Sequence, residues 1–271
     1  MNKYSVLMSV YDKEKPEFLQ ASIDSMLCQT VPSNDFVIVC DGPLTFKLDM
    51  VLGKYSEQYP QINIVRLTEN KGLGDALNEG MKHCKNELIA RMDSDDISRP
   101  NRCKLQLETF AGDESVDIVS GTVAECTMDM EKTGKFKKLP CSHTEILRYA
   151  KKRNPFNHPC VMYKKTAVLS AGGYQSFYLL EDYFLWIRML MNDAKGYNID
   201  LPLLDMRAGA DMYRRRGGGK YLQSAVRLRQ WMKKNKFIGW GDFLVCVVGQ
   251  SIVYLLPNSF RGLFYRRFLR K

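Results

Sequence analysis

The hydrophobic positions of the first hundred residues follow two alternating periods. Short apolar runs at Tyr4–Val10, Phe36–Cys40, Ile62–Leu67 and Leu88–Met92 read as strands. Between them, apolar residues recur at helical spacing. Glu17–Gln29 sets Phe18, Ala21, Ile23, Met26 and Leu27 behind Pro16; Leu44–Tyr59 ends before Pro60; Asp75–Cys84 puts Ala76, Leu77 and Gly80 on one side. Strands separated by helices of this length predict βαβ units and a parallel sheet. Runs that are apolar throughout, rather than alternating, predict strands covered on both faces. The remainder is less regular. Asp117–Cys126, Cys160–Lys164 and Leu203–Met206 read as strands, Glu181–Met191 as a helix and Met128–Lys138 as a polar loop. Past Gly217-Gly218-Gly219, Lys220–Lys236 reads as a basic amphipathic helix, followed by the apolar run Phe243–Leu256. The expectation is an α/β domain over residues 1–210 and a basic, amphipathic helical extension over 211–271.

Charge changes this picture more than composition does. The 271 residues, 45% hydrophobic and 26% charged, suit a folded protein rather than a disordered one. Residues 1–206 carry 25 Lys/Arg against 28 Asp/Glu, whereas residues 207–271 carry 15 against 2. The whole basic excess of a chain with net charge +10 lies in its last quarter, which implies an anionic partner or a solvated basic tail. No run of about 18 apolar residues reads as a membrane span. Met1–Val10 lacks the cleavage site of a secretory leader, so a cytosolic location is expected. The eight cysteines form no C-x-x-C pair and read as reduced, buried thiols.

In an open parallel sheet, ligands bind beyond the carboxyl ends of the strands. There the sequence places Tyr11-Asp12, Asp41-Gly42 and Asp93-Ser94-Asp95-Asp96. Acids brought together on one rim are costly unless a cation or a donor-rich ligand accompanies them. A divalent metal bridging carboxylates to phosphate oxygens meets that need; the alternative for Asp93–Asp96 is an Asx turn or helix start before Arg99-Pro100. Asp41 reads as an acceptor for a base or ribose, or as an ordinary Asp-Gly turn, and Tyr11 as a ring for a base or as rim packing. Lys71, in Lys71-Gly72-Leu73-Gly74, offers a cation on a flexible loop, while the lack of G-x-G-x-x-G after the first strand disfavours a dinucleotide. Arg91 reads as a partner for the acids or as a phosphate or base contact. Glu181-Asp182 opens a helix, which suits the macrodipole and equally suits a general base. His158 reads as structural or catalytic, and Arg214-Arg215-Arg216 as a basic loop or a clamp on a diphosphate.

Taken in order, these motifs resemble the inverting family-2 glycosyltransferases of the GT-A fold. The resemblance runs through Ser5–Tyr11, Val39–Gly42, Asn70–Gly74, Ala90–Asp96, Asn157-His158-Pro159, Gly172-Gly173-Tyr174 and Glu181–Trp186. Arg215-Arg216-Gly217-Gly218 with Lys220-Tyr221 looks like the amylovoran-type exopolysaccharide subgroup. The resemblance implies a Rossmann-like, mostly parallel sheet flanked by helices, with a nucleotide-binding half (1–100) and an acceptor half (101–210). It implies that Asp93 and Asp95 hold the ribose and a Mn²⁺ or Mg²⁺ on the diphosphate, and that Asp41, Tyr11, Lys71 and Arg91 surround the nucleotide sugar. Asp182 would be the general base of a single inverting displacement, with Glu181, His158, Arg215 and Arg216 contacting acceptor or diphosphate. The processive Q-x-x-R-W motif is missing, which implies addition of one sugar. The implied donor is a UDP-sugar. The implied acceptor is a polyprenyl-diphosphate-linked saccharide of exopolysaccharide, capsule or lipopolysaccharide assembly. The place is the cytoplasmic face of the plasma membrane, with the C-terminal segment on its anionic surface and no nucleic acid involved. A sugar nucleotidyltransferase and a non-enzymatic basic binding protein are the alternatives.

Overall fold

The computed structural model describes residues 3–209 and 218–255. A nine-stranded sheet forms its centre: β1 (Tyr4–Val10), β2 (Asp35–Cys40), β3 (Ile62–Arg66), β4 (Leu88–Asp93), β5 (Ile97–Ser98), β6 (Val116–Cys126), β7 (Lys132–Lys137), β8 (Met162–Lys164) and β9 (Lys195–Arg207). β3, β2, β1 and β4 lie side by side and parallel. β8 joins antiparallel beside β4, then β6, β9 and β5 continue the sheet, and β7 pairs antiparallel with β6. The helices are α1 (Pro16–Leu27), α2 (Phe46–Gln58), α3 (Leu73–His83), α4 (Arg102–Gly112), α5 (His143–Ala150), α6 (Lys165–Ser170), α7 (Glu181–Met191), α8 (Gly219–Lys234) and α9 (Trp240–Leu255).

Alternation along the strands divides the core in two. On β1, Leu7 joins the cluster formed with α3, α5, α6, α7 and α8, while Val6, Met8 and Val10 join the one formed with α1, α2 and α4. Both faces of β1, β2 and β4 are therefore buried, as their unbroken apolar runs predict, while β3 at the sheet edge is half-exposed. The chain winds from β1 to β2 to β3 and then returns across β1 to β4. Winding reverses between β1 and β4, and such a switch point opens a crevice at the carboxyl ends of the strands. Ser9 stands opposite Asp93 in the register, so Tyr11 and the acids after β4 leave the sheet at this crevice.

The first hundred residues form the expected elements, with ends shifted by a residue or two. The polar loop expected over Met128–Lys138 is corrected: Lys132–Lys137 is β7. Its sequence, KTGKFK, is that of a solvated edge strand, where lysines guard an open edge and no apolar alternation appears. β9 extends well beyond the expected Leu203–Met206, because Pro202 and register shifts against β6 mask its period. α4 escapes the periodicity because its buried face includes Arg102 and Gln106. These two side chains close the gap where β4 and β8 meet the 158–161 turn. Arg102 Nη2 donates to Arg91 O at 2.6 Å and to Val161 O at 3.1 Å; Gln106 Nε2 donates to Cys160 O at 2.8 Å and to Val119 O at 3.2 Å.

In the C-terminal segment, α8 packs on the domain. Tyr221, Ala225, Leu228 and Met232 share the cluster of α7, and Trp231 meets Phe184 edge-on with ring centroids 4.8 Å apart. α9 instead leaves Trp240, Leu244, Val245 and Val248 exposed at helical spacing.

Gln106→Leu keeps the volume but orphans two buried carbonyls, at about 1–3 kcal/mol each. The expected outcome is a fall in Tm of about 2–4 °C per kcal/mol in a thermal melt; an unchanged Tm would refute the role given to this side chain.

Candidate active site

The site is built around Arg91. It lies on β4, is 1% exposed, and its Nη2 donates to Asp93 Oδ1 two residues along the same strand face. Beyond β4 the chain turns sharply into β5, which brings carboxylate oxygens of Asp93, Asp95 and Asp96 within 4.8 Å of one another. Burial, then the charges of Asp93 and Glu14, push the Asp95 carboxyl up to about 7. Burial, then Asp95 and Asp93, drive the Asp96 carboxyl well above its usual range. Asp96 accepts from Arg207 N at 2.9 Å, so it locks the end of β9 to the acidic turn. Arg207 completes the lock: its Nη1 donates to Asp95 O, and its guanidinium lies 4.0 Å from the Phe18 ring centroid. Asp93 and Asp95, both half-buried, are thereby left as the acids best able to hold a cation. A carboxylate cluster in which Asp95 and Asp96 resist ionisation is the donor set a hard divalent ion relieves, and the residues fit Mg²⁺ or Mn²⁺.

Asp41 follows β2 and is buried. Its Oδ1 accepts from Lys71 N at 2.7 Å and its Oδ2 from Gly72 N at 3.0 Å, with lone pairs remaining on each oxygen. Gly42 has φ +87°, and a Cβ there would stand 2.7 Å from Asn70 N, so this turn requires glycine. Asp41-Gly42 thus shapes the Lys71 loop, whose lysine side chain is exposed, and Tyr11 lies at the crevice 39% exposed.

α7 opens with Glu181-Asp182. Asp182 Oδ2 accepts from Asn154 Nδ2 at 2.6 Å, and Oδ1 accepts from Tyr183 N at 2.7 Å. Burial, and to a lesser degree Asp182, raise the Glu181 carboxyl. His158 Nε2 is 2.9 Å from the Tyr174 hydroxyl, and its ring stands edge-on to Trp186. Burial and then Arg91 hold its pKa well below the usual histidine value, so the ring is neutral at pH 7. Tyr174 links the two groups of residues. Its phenol, raised by burial, is eased by the charge of Arg91 and feels both Asp182 and Asp93.

The structure therefore gathers Arg91, Asp93, His158, Glu181 and Asp182 around Tyr174, with Asp41, Lys71 and Tyr11 at the neighbouring strand ends. Arg215 and Arg216 lie outside the described residues. Sequence reasoning missed Arg207, Asn154 and Glu14, whose Oε2 accepts from Ser94 Oγ. Only Glu14, an acid in the loop after β1, carried a local signal.

Residues 5–171 match the glycosyl transferase family 2 profile. The chain belongs to this family. A galactosyltransferase of Escherichia coli, named UDP-Gal:alpha-D-GlcNAc-diphosphoundecaprenol beta-1,3-galactosyltransferase, is 39% identical over 99% of this chain and 97% of its own length. The amylovoran biosynthesis glycosyltransferase AmsE of Erwinia amylovora is 38% identical over 97% and 98%. Among solved structures, the mannosyltransferase PcManGT of Pyrobaculum calidifontis, in complex with GDP-Man and Mn²⁺, aligns with TM-score 0.66 at 16% identity over 96% of this chain and 72% of its own. S. aureus TarS 1-349 with UDP-GlcNAc aligns at 0.64 and 15% over 98% and 71%. At such identities the likeness establishes the fold, which is GT-A. This family 2 member is a glycosyltransferase, and the nucleotidyltransferase and non-enzymatic alternatives fall.

The raised Asp95 pKa sets a pH dependence. The native carboxyl keeps a proton that the unfolded chain releases near pH ~4, so metal-free stability falls as pH rises from there to about 7, then levels. Asp95→Asn should raise the metal-free Tm at pH 8 while abolishing the Tm gain given by Mn²⁺. A variant with lowered metal-free Tm, or one still stabilised by Mn²⁺, would refute this.

Proposed function

We propose that this glycosyltransferase moves one hexose from a UDP-sugar, with inversion, to a polyprenyl-diphosphate-linked saccharide at the cytoplasmic face of the membrane. The product would feed exopolysaccharide, capsule or lipopolysaccharide assembly. The observation that carries the reading is the Asp182 carboxylate, fixed by Asn154 and the Tyr183 amide and near enough to Tyr174 that its charge, like that of Asp93, bears on the phenol. The UDP donor and lipid-linked acceptor are supported by the name of the E. coli relative, which this chain matches over nearly its whole length.

In this reading Tyr11 packs on the base and Asp41 accepts from it, while the Lys71 loop closes beside them. Asp93 and Asp95 hold the ribose and the divalent ion. When bound, Mg²⁺ or Mn²⁺ supplies Lewis-acid stabilisation of the departing diphosphate. Arg91 holds Asp93 in place and adds a fixed positive charge beside the leaving group. Asp182 takes the proton of the acceptor hydroxyl. The freed oxygen attacks the anomeric carbon from the face opposite the diphosphate, and the bond to the diphosphate oxygen breaks. Glu181 orients the acceptor, and neutral His158 braces Tyr174 rather than carrying a proton. Arg215 and Arg216 would complete the diphosphate contacts. Residues 1–100 serve the nucleotide and 101–210 the acceptor.

The segment 211–271 is read as a surface anchor. No described helix is long and apolar enough to cross a membrane. The exposed stripe Trp240, Leu244, Val245 and Val248 lies next to basic residues, and Lys233 Nζ stands 2.9 Å from the Trp240 ring centroid. An apolar stripe beside lysines matches an anionic leaflet.

Two outcomes are expected. Asp182→Asn should lower turnover by about 10²–10⁴-fold while calorimetry with UDP and Mn²⁺ gives the wild-type Kd; retained turnover would remove Asp182 as the base. In vesicle sedimentation, binding should require anionic lipid, weaken with salt and fall in Trp240→Ser/Leu244→Ser. Equal binding to neutral vesicles would overturn the charge argument.

A further inference from the structure

Asp182 is held by two segments, the start of α7 and the stretch that ends at Asn154. Behind both lie the C-terminal helices. Arg229 of α8 is 2% exposed. Its Nη1 donates to the Tyr183 hydroxyl at 2.8 Å and its Nη2 to Lys152 O at 2.7 Å. The Tyr183 hydroxyl donates onward to Ala150 O at 2.6 Å. From α9, Cys246 Sγ lies 3.7 Å from Lys151 O and donates to it. Three successive carbonyls at the end of α5, otherwise orphaned, are thus taken up by Tyr183 and by the two C-terminal helices. Two residues further on, Asn154 donates to Asp182.

A buried guanidinium is an expensive way to pack a helix. Leu228 and Met232 already supply the apolar contact of α8 with α7. Besides a contact of Nη1 with Met232 Sδ at 3.0 Å on its own helix, Arg229 makes two bonds to other segments: one to the side chain of Tyr183, whose amide donates to Asp182, and one to the backbone two residues before Asn154, the other donor to Asp182. Burial pushes the Tyr183 phenol up to about 12, so it remains a protonated donor within this chain of bonds.

We propose that Arg229 is a positioning residue for the transfer reaction: through Tyr183 and the Lys151–Asn154 segment, it makes the placement of Asp182 depend on the docked C-terminal helices. The inference rests on the reading of Asp182 as the general base. Its consequence is that the helix pair assigned to the membrane surface also completes the acceptor side of the active site.

The test uses the full chain, with UDP-Gal and a GlcNAc-diphosphate lipid as substrates and UDP with Mn²⁺ as the binding probe. Arg229→Gln should lower kcat by about 10–100-fold, the scale of a small misplacement of a reacting group. The KM for UDP-Gal and the Kd for UDP should stay at wild-type values. Arg229→Lys, which restores one donor, should recover part of the loss. Combined with Asn154→Ala, Arg229→Gln should fall no further than the worse single variant, because both act through one contact. If Arg229→Gln does not fold, Tyr183→Phe removes the bridging hydroxyl at nearly constant volume and carries the same test. A folded Arg229→Gln with wild-type kcat, a parallel loss of UDP affinity, or additive effects with Asn154→Ala would each overturn the inference. Asp182→Asn separates the two readings. If it turns over normally, the base assignment itself fails; if it is inactive while Arg229→Gln is fully active, only the positioning role fails.

Discussion

The charge balance around Arg91 is the constraint on which the site depends. Three acids sit within 4.8 Å of one another, and burial of that kind is unfavourable without a compensating cation. Arg91 supplies one from inside the sheet, fixed by its strand rather than by a flexible loop. Its Nη2 is engaged by Asp93, while Nε and Nη1 have no hydrogen-bond partner among the described residues. Its charge reaches further than its bonds. It opposes the rise of the Asp95 and Asp96 carboxyls, and it helps to keep His158 neutral. Arg102 then holds the Arg91 carbonyl from α4, so the backbone of the cation is also fixed. The acids after β4 and the aromatic cluster around His158 and Tyr174 thus share one electrostatic centre. A change at either side is felt at the other because the interior between them screens charge poorly.

The first hundred residues were legible because their physics is local. Apolar runs gave β1 to β4, the winding rule gave the crevice, and the residues just after each strand had to lie on its rim. The acidic turn was legible for the same reason, and only its division of labour was hidden. Asp96 is a lock for β9, a fact that depends on Arg207, 111 residues away. Residues 101–210 were less legible because their determinants are long-range. Asn154 sits in a short irregular stretch with no periodicity, and its meaning comes from reaching Asp182 at the start of another element. α4 was missed because a helix whose buried face includes Arg102 and Gln106 does not look amphipathic. α5 did carry a local sign, the Ser142–Glu145 capping box, which a pattern search for apolar spacing passes over.

The two readings of Glu181-Asp182 as helix-end acids and as chemistry are not rivals in the structure. An acid at the first turn of α7 is favoured by the helix dipole, and the same location leaves its carboxylate at the end of a rigid, fully packed element. α7 buries every residue from Tyr183 to Leu190, so the start of the helix cannot drift without disturbing the core. Reactive groups gain precision when carried on such elements rather than on loops.

The basic excess of the last quarter of the chain leads to a similar conclusion by a different route. Read as charge alone, it implied an anionic partner or a solvated basic tail. The structure divides it. Lys220, Arg227 and Lys234 of α8 are exposed, whereas Arg229 on the same helix is buried. The apolar face of α8 is continuous with the core under α7, so this helix is part of the domain even as its outer face remains cationic. On α9, Cys246 and Phe243 are turned in while Trp240, Leu244, Val245 and Val248 are turned out. The two helices, joined by a short turn, give one surface that fits the protein and one that fits an anionic interface. Because the inner surface ends on the segment that holds Asp182, the basic charge of Arg229 is joined by direct hydrogen bonds to Tyr183 and to the backbone two residues before Asn154.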